Sequence, residues 1–102
     1  MQYIDNLKVK ELMKQSRYRL RFYGMVQGVG FRYTASHAAN MYRLTGYVKN
    51  EYDGSVTCEV QGSEDNITQF LAAINRGRFI DVERIDKTAL ELDPEERSFE
   101  VR

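Results

Sequence analysis

The sequence is poor in the residues that build disulfides and metal centres. It contains one cysteine, one histidine, one proline and no tryptophan among 102 residues. A single cysteine excludes an intrachain disulfide, and one Cys with one His cannot complete a usual four-ligand zinc site. Counting residues does not exclude a magnesium site, but no group of carboxylates in the sequence resembles one.

Long apolar runs are missing as well. No stretch approaches the roughly 18 apolar residues of a membrane-spanning helix, and the start of the chain lacks the apolar core of a signal peptide. We therefore expect a cytoplasmic protein that does not enter a membrane. Its 102 residues, 42% of them hydrophobic, are enough for one domain with its own core.

Charge is balanced overall but not along the chain. Residues 1–50 contain nine Lys or Arg and two acidic residues, whereas residues 51–102 contain six basic and thirteen acidic residues. Such asymmetry can mark a basic surface that binds nucleic acid or small anions. The simpler interpretation, which we favour, is that the two halves fold together and their charges interleave on the surface.

Hydrophobic periodicity predicts the secondary structure. Alternation of apolar and polar side chains is typical of half-buried strands, and apolar residues at helical spacing form one face of a helix. The expected strands cover 18–23, 45–50, 56–61 and 80–90, with a short terminal strand that carries Phe99 and Val101, and the expected helices cover 31–42 and 64–76. Asp53 and Gly54 predict a hairpin turn, and Ser63 is expected to cap the second helix.

This order of elements predicts an α+β protein with the ferredoxin-like β-α-β-β-α-β fold. We expect two helices on one face of an antiparallel sheet, with a short extra strand at the C-terminal end. The domain covers residues 17–102, and residues 1–16 form an N-terminal extension, either a short helix or a frayed tail, whose role the sequence does not indicate. Because this fold carries many activities, function has to be argued from a site.

The candidate site is the glycine-bearing turn GMVQGVGFR at 24–32, between the first strand and the first helix. Glycines allow several main-chain N–H groups to turn inward, and the helix start adds unpaired donors, so the turn can bind an anion. The planar guanidinium of Arg32 can hold two phosphate oxygens at once. The alternative is a structural turn with a solvated Arg32, although a positive side chain there opposes the helix dipole at a cost of about 0.3–1 kcal/mol.

Three known phosphate-binding motifs do not fit this turn. The dinucleotide pattern G-x-G-x-x-G, started at Gly28, fails because Tyr33 stands where the third glycine belongs, and the Walker pattern fails for lack of a Lys-Ser/Thr pair. In a cysteine phosphatase loop the nucleophile stands six residues before the arginine, where this chain has Val26. Without a nucleophile in the loop, direct attack by water is favoured over a covalent phosphoenzyme.

Chain geometry points to Asn50 as a partner of the loop. The helix that begins at Arg32 advances roughly 1.5 Å per residue, about 18 Å to its end near Arg43. The strand 45–50 returns about 17 Å at roughly 3.3 Å per residue. The two distances nearly cancel, so a right-handed crossover brings Asn50 back beside the glycine loop. Its amide can orient a water molecule, although Asn50 can equally be a polar residue that closes the strand.

Several segments of the sequence resemble the acylphosphatase family. They are VQGVGFR at 26–32, TGYVKN at 45–50, DGSV at 53–56 and VQG at 60–62. The resemblance, which extends over residues 17–102, implies a small cytoplasmic, cofactor-free enzyme that hydrolyses substrates such as acetyl phosphate and carbamoyl phosphate. It implies that Arg32 binds the phosphate and that Asn50 positions the attacking water. The residues whose main-chain amides are implied to hold the phosphate are Gln27, Gly28, Val29, Gly30 and Phe31.

Two departures from the family pattern lie outside the implied catalytic pair. Arg43 stands where the family often has glycine, at a helix end that often requires a positive φ, so the geometry there is open. Tyr47 stands where the family commonly has tryptophan, and its aromatic body is expected to preserve the packing.

Two other functions are compatible with parts of the sequence. An RNA-binding domain would use the basic half and the tyrosines, but 55–61 lacks the stacking aromatics expected on that strand. A module that binds an anion as a regulator, or as part of a larger enzyme, would keep the loop, yet the presence of both Arg32 and Asn50 favours an enzyme. We expect a monomer that acts on small acyl phosphates and binds no nucleic acid, with His37 solvated and Cys58 in the core.

Overall fold

A computed structural model describes residues 3, 5, 6 and 14–102 of the chain. The elements are β1 (Ser16–Met25), α1 (Phe31–Met41), β2 (Thr45–Asn50), β3 (Val56–Gly62), α2 (Glu64–Ile74), β4 (Asp81–Leu90) and β5 (Phe99–Val101). They confirm the predicted order, and the bounds of β2 are those expected from the sequence. The helix or tail expected in residues 1–16 lies largely outside the described residues.

The five strands form one sheet in the order β4-β1-β3-β2-β5. The first four strands are antiparallel neighbours, as the ferredoxin-like fold requires. The prediction of a purely antiparallel sheet is wrong at one edge, because β5 pairs parallel with β2. The direction of β5 follows from the end of the sheet at which β4 stops. β2 begins at that same end, so a chain that crosses there to the far edge has to run beside β2 in the direction of β2.

Both helices pack on one face of the sheet and enclose the core. The buried side chains of this core include Leu20, Phe22, Val48, Val56, Cys58 and Val60 from the strands, Phe31, Ala35, Ala38 and Ala39 from α1, and Ile67, Phe70 and Ile74 from α2. Cys58 is fully buried, which confirms its expected role in packing, and this burial raises the pKa of its thiol. Among the described helices, none is long and apolar enough to cross a membrane.

The two helices begin and end differently. In α2 the Ser63 hydroxyl accepts from the main-chain N–H of Asn66 at 3.1 Å, so Ser63 is the N-cap that the sequence predicts. In α1 the chain turns out of the helix through Arg43, whose φ of 57° lies in the left-handed region. Residues with a Cβ adopt this region at a cost, so Arg43 takes the conformation for which the family often uses glycine.

The other face of the sheet carries charged side chains that pair with one another. Arg17 and Glu59 are each only 8% exposed, and Arg17 Nη2 lies 2.8 Å from Glu59 Oε1. Arg19 Nε and the Tyr47 hydroxyl both donate to Glu59 Oε2 at 3.0 Å. Burial raises the pKa of the Glu59 carboxyl, but the hydrogen bonds from Tyr47, Arg17 and Arg19 outweigh it and hold that pKa below its ordinary value.

Residues 91–98, here called the crossing segment, join β4 to β5 over the end of the sheet. Glu96 Oε1 accepts from Arg17 Nη1 at 2.6 Å and from the Thr45 hydroxyl at 2.7 Å. Gln61 donates to the main-chain oxygen of Asp93 at 3.0 Å and accepts from its N–H at 2.7 Å. We call Arg17, Arg19, Tyr47, Glu59 and Glu96 the paired face. It joins basic residues of the first half to carboxylates of the second, so the charges of the two halves interleave as expected.

Candidate active site

The loop between β1 and α1 is shaped by two glycines in the left-handed region. Gly28 has a φ of 71° and Gly30 has a φ of 78°, values that glycine adopts at little cost. Gly30 is the N-cap of α1, and within the described part of the chain no side chain bonds to this helix end and its first turn contains no acidic residue. The positive end of the helix therefore meets the loop without a carboxylate of its own first turn to neutralise it.

The main-chain donors of this loop remain available. Val26 N bonds to Gly24 O at 3.1 Å before the loop, and Thr34 N bonds to Gly30 O at 3.0 Å after it. Between these two bonds, no main-chain N–H of residues 28–32 donates to a backbone oxygen within residues 14–102. A bound anion can therefore accept hydrogen bonds from several of these N–H groups at once.

A surface cavity of about 240 Å³ opens beside this loop. It is lined by Val26, Gly28, Gly30, Phe31, Arg32, Tyr33 and Asn50. The lengths of the first helix and of β2 predict that Asn50 returns to the loop, and the shared cavity confirms that prediction. The structure thus brings together both residues that the sequence singles out, although 18 positions separate them in the chain.

Arg32, the second residue of α1, is exposed on one side of this cavity. Its Nη1 donates to the main-chain oxygen of Arg102 at 3.2 Å. Within residues 14–102 Arg32 forms no ion pair, so its other guanidinium N–H groups are open to a ligand. A planar cation with unoccupied N–H donors can bind an anion that has several oxygens, such as phosphate.

Asn50 is the last residue of β2 and lies opposite Val56 of β3. Asn50 is half-buried and lines the same cavity as the glycine loop. A neutral carboxamide offers both a donor and an acceptor, so it can hold a water molecule or a phosphoryl oxygen without changing the charge of the site.

Gln27 and Val29, two residues of the expected phosphate loop, do not line the cavity. Val29 is half-buried and packs against the core. The Gln27 side chain turns towards the hairpin between β2 and β3, where its Nε2 donates to Glu51 O at 2.7 Å and to Ser55 O at 2.9 Å. Gln27 therefore ties the loop to the hairpin that follows Asn50. The sequence gives no sign of this role, because both partners are main-chain oxygens.

The hairpin itself is held by Asp53. Asp53 Oδ1 accepts from the hydroxyl of Ser55 at 2.5 Å and from its N–H at 2.9 Å, and Arg21 Nη2 donates to Asp53 Oδ2 at 3.2 Å. The hydrogen bonds from Ser55, with a smaller contribution from Arg21, lower the pKa of the Asp53 carboxyl. Gly54 follows with a φ of 92°, which confirms the predicted turn. Asn50 therefore stands at the base of a well-braced turn.

Other parts of the molecule fit an anion site less well. Two cavities of about 340 and 250 Å³ lie beside the crossing segment, and in both of them Arg97 is accompanied by the carboxylates of Asp93 and Glu96, which oppose the binding of an anion. Among the residues that the structure describes, no three His, Cys, Asp or Glu side chains converge as metal ligands would. His37 is exposed, as expected, and its ring stacks on Tyr33.

Comparison with known proteins gives one consistent result. The family model "Acylphosphatase" matches residues 18–101. An acylphosphatase of Clostridium acetobutylicum is 45% identical over 86 residues, which cover 83% of this chain and 94% of the relative. The crystal structure of an acylphosphatase from Bacillus subtilis superposes with a TM-score of 0.79 at 34% identity, over 85% of this chain and 98% of that one. Full-length HypF, in its phosphate- and nucleotide-bound form, superposes with a TM-score of 0.79 at 27% identity, over 88% of this chain and 12% of HypF.

Proposed function

Because the chain belongs to the acylphosphatase family and hydrolyses acyl phosphates to a carboxylate and inorganic phosphate, we propose that Arg32 binds the phosphoryl group and that Asn50 positions the attacking water. The observation that carries this proposal is the single cavity lined by Arg32, Asn50 and the glycine loop.

The phosphoryl oxygens are held by Arg32 and by main-chain amides of the loop 27–31, of which Gly28, Gly30 and Phe31 line the cavity. These donors are fixed before the substrate arrives: Gly28 and Gly30 set the path of the loop, and Gln27 ties it to the hairpin. Donors of this kind stabilise the negative charge that is carried by the phosphoryl oxygens in the transition state. Because they cost little reorganisation during the reaction, they act on the rate as well as on binding.

Water attacks phosphorus from the side of Asn50. The P–O bond to the carboxyl oxygen breaks, and the acyl group leaves as a carboxylate. One proton of the water stays on the new phosphate oxygen and the other passes to a phosphoryl oxygen of the substrate or to solvent. No carboxylate and no histidine lines the cavity within the described residues, so we assign no protein group as general base. A carboxylate is a good leaving group, and positioning alone can contribute about 7–11 kcal/mol to lowering a barrier.

The substrates we propose are small acyl phosphates, hydrolysed without a metal by a monomer in the cytoplasm, the setting that the family resemblance implies. The paired face supports the absence of a nucleic-acid partner. Its arginines face Glu59 and Glu96 instead of presenting the free basic groove that RNA recognition needs. Residues 17–102 form the catalytic domain in this proposal, and residues 1–16 remain an extension without an assigned role.

The proposal is tested by phosphate release from benzoyl phosphate, measured above spontaneous hydrolysis with and without EDTA. Arg32→Ala is expected to lose turnover and phosphate binding together, because the guanidinium is the main cation of the cavity. Asn50→Ala is expected to lose turnover while it still binds inorganic phosphate, measured by calorimetry. Equal loss of phosphate binding in both variants would contradict this division of roles. Turnover that EDTA abolishes would contradict the metal-free mechanism.

A second outcome would favour the alternative of an anion-binding module. A folded protein that binds phosphate and shows no turnover with any acyl phosphate would support it. Superposition of this fold on 12% of HypF, a much longer chain, is the observation that keeps this alternative open.

A further inference from the structure

Tyr33 lines the active-site cavity, but its side chain has no place in the mechanism above. It follows Arg32 on α1 and lines the same cavity, yet its side chain is 76% exposed. Single exposed aromatic residues are common on protein surfaces and need no explanation. Tyr33 differs from such a residue because it stands at the mouth of the cavity, next to the proposed phosphate ligand.

The rest of the cavity leaves one direction for the acyl group. Val26 and Phe31 are almost fully buried and close the inner wall. Arg32 and Asn50 are engaged by the phosphoryl group and the water in the proposed mechanism. An acyl group attached to a phosphate held there has to extend towards the open side, where Tyr33 supplies the large exposed apolar surface among the residues that line the cavity.

The orientation of the Tyr33 ring is held from one side. The ring of His37, one helical turn further along α1, stacks on it with centroids 6.2 Å apart and an angle of 10° between the planes. Such an offset arrangement is favourable for aromatic pairs. The parallel His37 ring limits the orientations of the Tyr33 ring, and the exposed part of that ring is available to a flat apolar group.

We propose that Tyr33 determines acyl-group specificity by stacking against flat, apolar acyl groups, so that aromatic acyl phosphates are preferred over acetyl phosphate. This inference rests on the proposed function of the cavity, because it needs the phosphate to lie against Arg32 and the loop. Tyr33 contacts only the non-reacting part of the substrate. Its effect is therefore expected on the choice between substrates and not on the chemical step.

The test compares kcat/KM for benzoyl phosphate and for acetyl phosphate in the wild-type protein, Tyr33→Ala and Tyr33→Phe. Tyr33→Ala is expected to lower the ratio of the two values about three- to tenfold, the range that aromatic pairs contribute. Acetyl phosphate hydrolysis and inhibition by inorganic phosphate are expected to stay within about twofold of wild type. Tyr33→Phe keeps the ring and should keep the ratio.

Met41→Ala provides the matched control. Met41 is 59% exposed on the same helix, about 12 Å further along at 1.5 Å per residue, and it does not line the cavity. Its ratio should equal that of wild type. An unchanged ratio in Tyr33→Ala, or an equal loss on both substrates, would overturn the specificity role and leave the proposed function intact. A wild-type protein inactive on both substrates would overturn the proposed function and this inference together.

Discussion

Arg17 and Arg32 are the same side chain in two different electrostatic settings. Arg17 is 8% exposed and lies between two carboxylates, Glu59 at 2.8 Å and Glu96 at 2.6 Å. Arg32 is exposed, and its one hydrogen bond within residues 14–102 goes to the main-chain oxygen of Arg102. Arg17 donates to carboxylates inside the protein, whereas most N–H donors of Arg32 are available to a ligand. The comparison predicts that the paired face governs stability and the cavity governs activity.

Glu59→Gln, a substitution in the paired face, should have the largest effect, and this effect should be on stability. The substitution keeps the size of the side chain but removes the charge that Arg17, Arg19 and Tyr47 share. Arg17 keeps Glu96 as its partner, but the charge-assisted hydrogen bonds to Glu59 are lost or weakened, which costs roughly 2–3 kcal/mol in the free energy of unfolding. Urea denaturation at pH 7 measures this loss. At temperatures where the variant is folded, its kcat/KM for benzoyl phosphate should match that of wild type.

The pH dependence of the difference in stability between wild type and Glu59→Gln tests whether the charge of Glu59 causes it. The native-state pKa of Glu59 lies below its ordinary value of 4.5, so its contribution is complete above that pH and is lost as the pH falls through the native pKa. The gap in stability between wild type and Glu59→Gln should therefore narrow below about pH 4.5. A gap that is constant down to pH 2 would show that the charge of Glu59 is not its cause.

Gln27→Ala should have the next largest effect, and on the opposite side of the comparison. It removes both hydrogen bonds that tie the glycine loop to the hairpin after Asn50. A small displacement between the phosphate ligands and the water-positioning residue is expected to lower kcat about tenfold or more. Phosphate binding should change little, because the ligands of the phosphate all belong to the loop side. Steady-state kinetics with phosphate inhibition measures both quantities.

Gln61→Ala is the matched control for Gln27→Ala. Gln61 also makes two hydrogen bonds to main-chain atoms, but at the crossing segment, at the end of the sheet away from the cavity. Its loss should lower stability by about 1–3 kcal/mol and leave kcat unchanged. If both variants lose stability and activity in the same proportion, the cavity end of the sheet does not govern activity separately from the end at the crossing segment.

Arg43→Gly should have the smallest effect. Arg43 belongs to neither region, and its φ of 57° makes backbone strain the property that the substitution changes. Relief of the left-handed conformation, less the extra flexibility of glycine in the unfolded chain, should raise the free energy of unfolding by about 0.5 kcal/mol. Calorimetry should detect this as an increase in Tm of about 2–4 °C. Arg43→Ala keeps a Cβ at this position and should give no gain.

Much of the fold could be predicted because local patterns in the sequence are strong. Alternation sets the faces of β1 and β3, and the lengths of α1 and β2 bring Asn50 to the loop. The direction of β5 could not be predicted, because three residues carry no directional pattern and the outcome depends on where the crossing segment traverses the sheet. The register that joins Glu59 to Arg17 likewise comes from long-range pairing and leaves no local mark.

The site was predictable where glycines and spacing determine it and unpredictable where main-chain partners do. Gly28, Gly30 and Arg32 form a local motif whose chemistry follows from residue type. The bracing role of Gln27 depends on two carbonyl oxygens of the hairpin, and these are present at every residue of any chain. The exposure of Tyr33 at the cavity depends on the rotation of α1, which periodicity fixes only for the buried face.

The parallel pairing of β5 with β2 has a practical consequence for attaching the protein to a surface. β1 spans ten residues, roughly 33 Å at 3.3 Å per residue, and runs from Ser16 at the crossing segment to Met25 beside the cavity. β5 ends at the cavity side, where Arg102 meets Arg32. A linker that follows Arg102 would therefore start next to the substrate entrance, whereas the chain that leads into Ser16 enters β1 at the opposite pole. An immobilised or reporter-fused enzyme should keep its full access to substrate only in the second orientation.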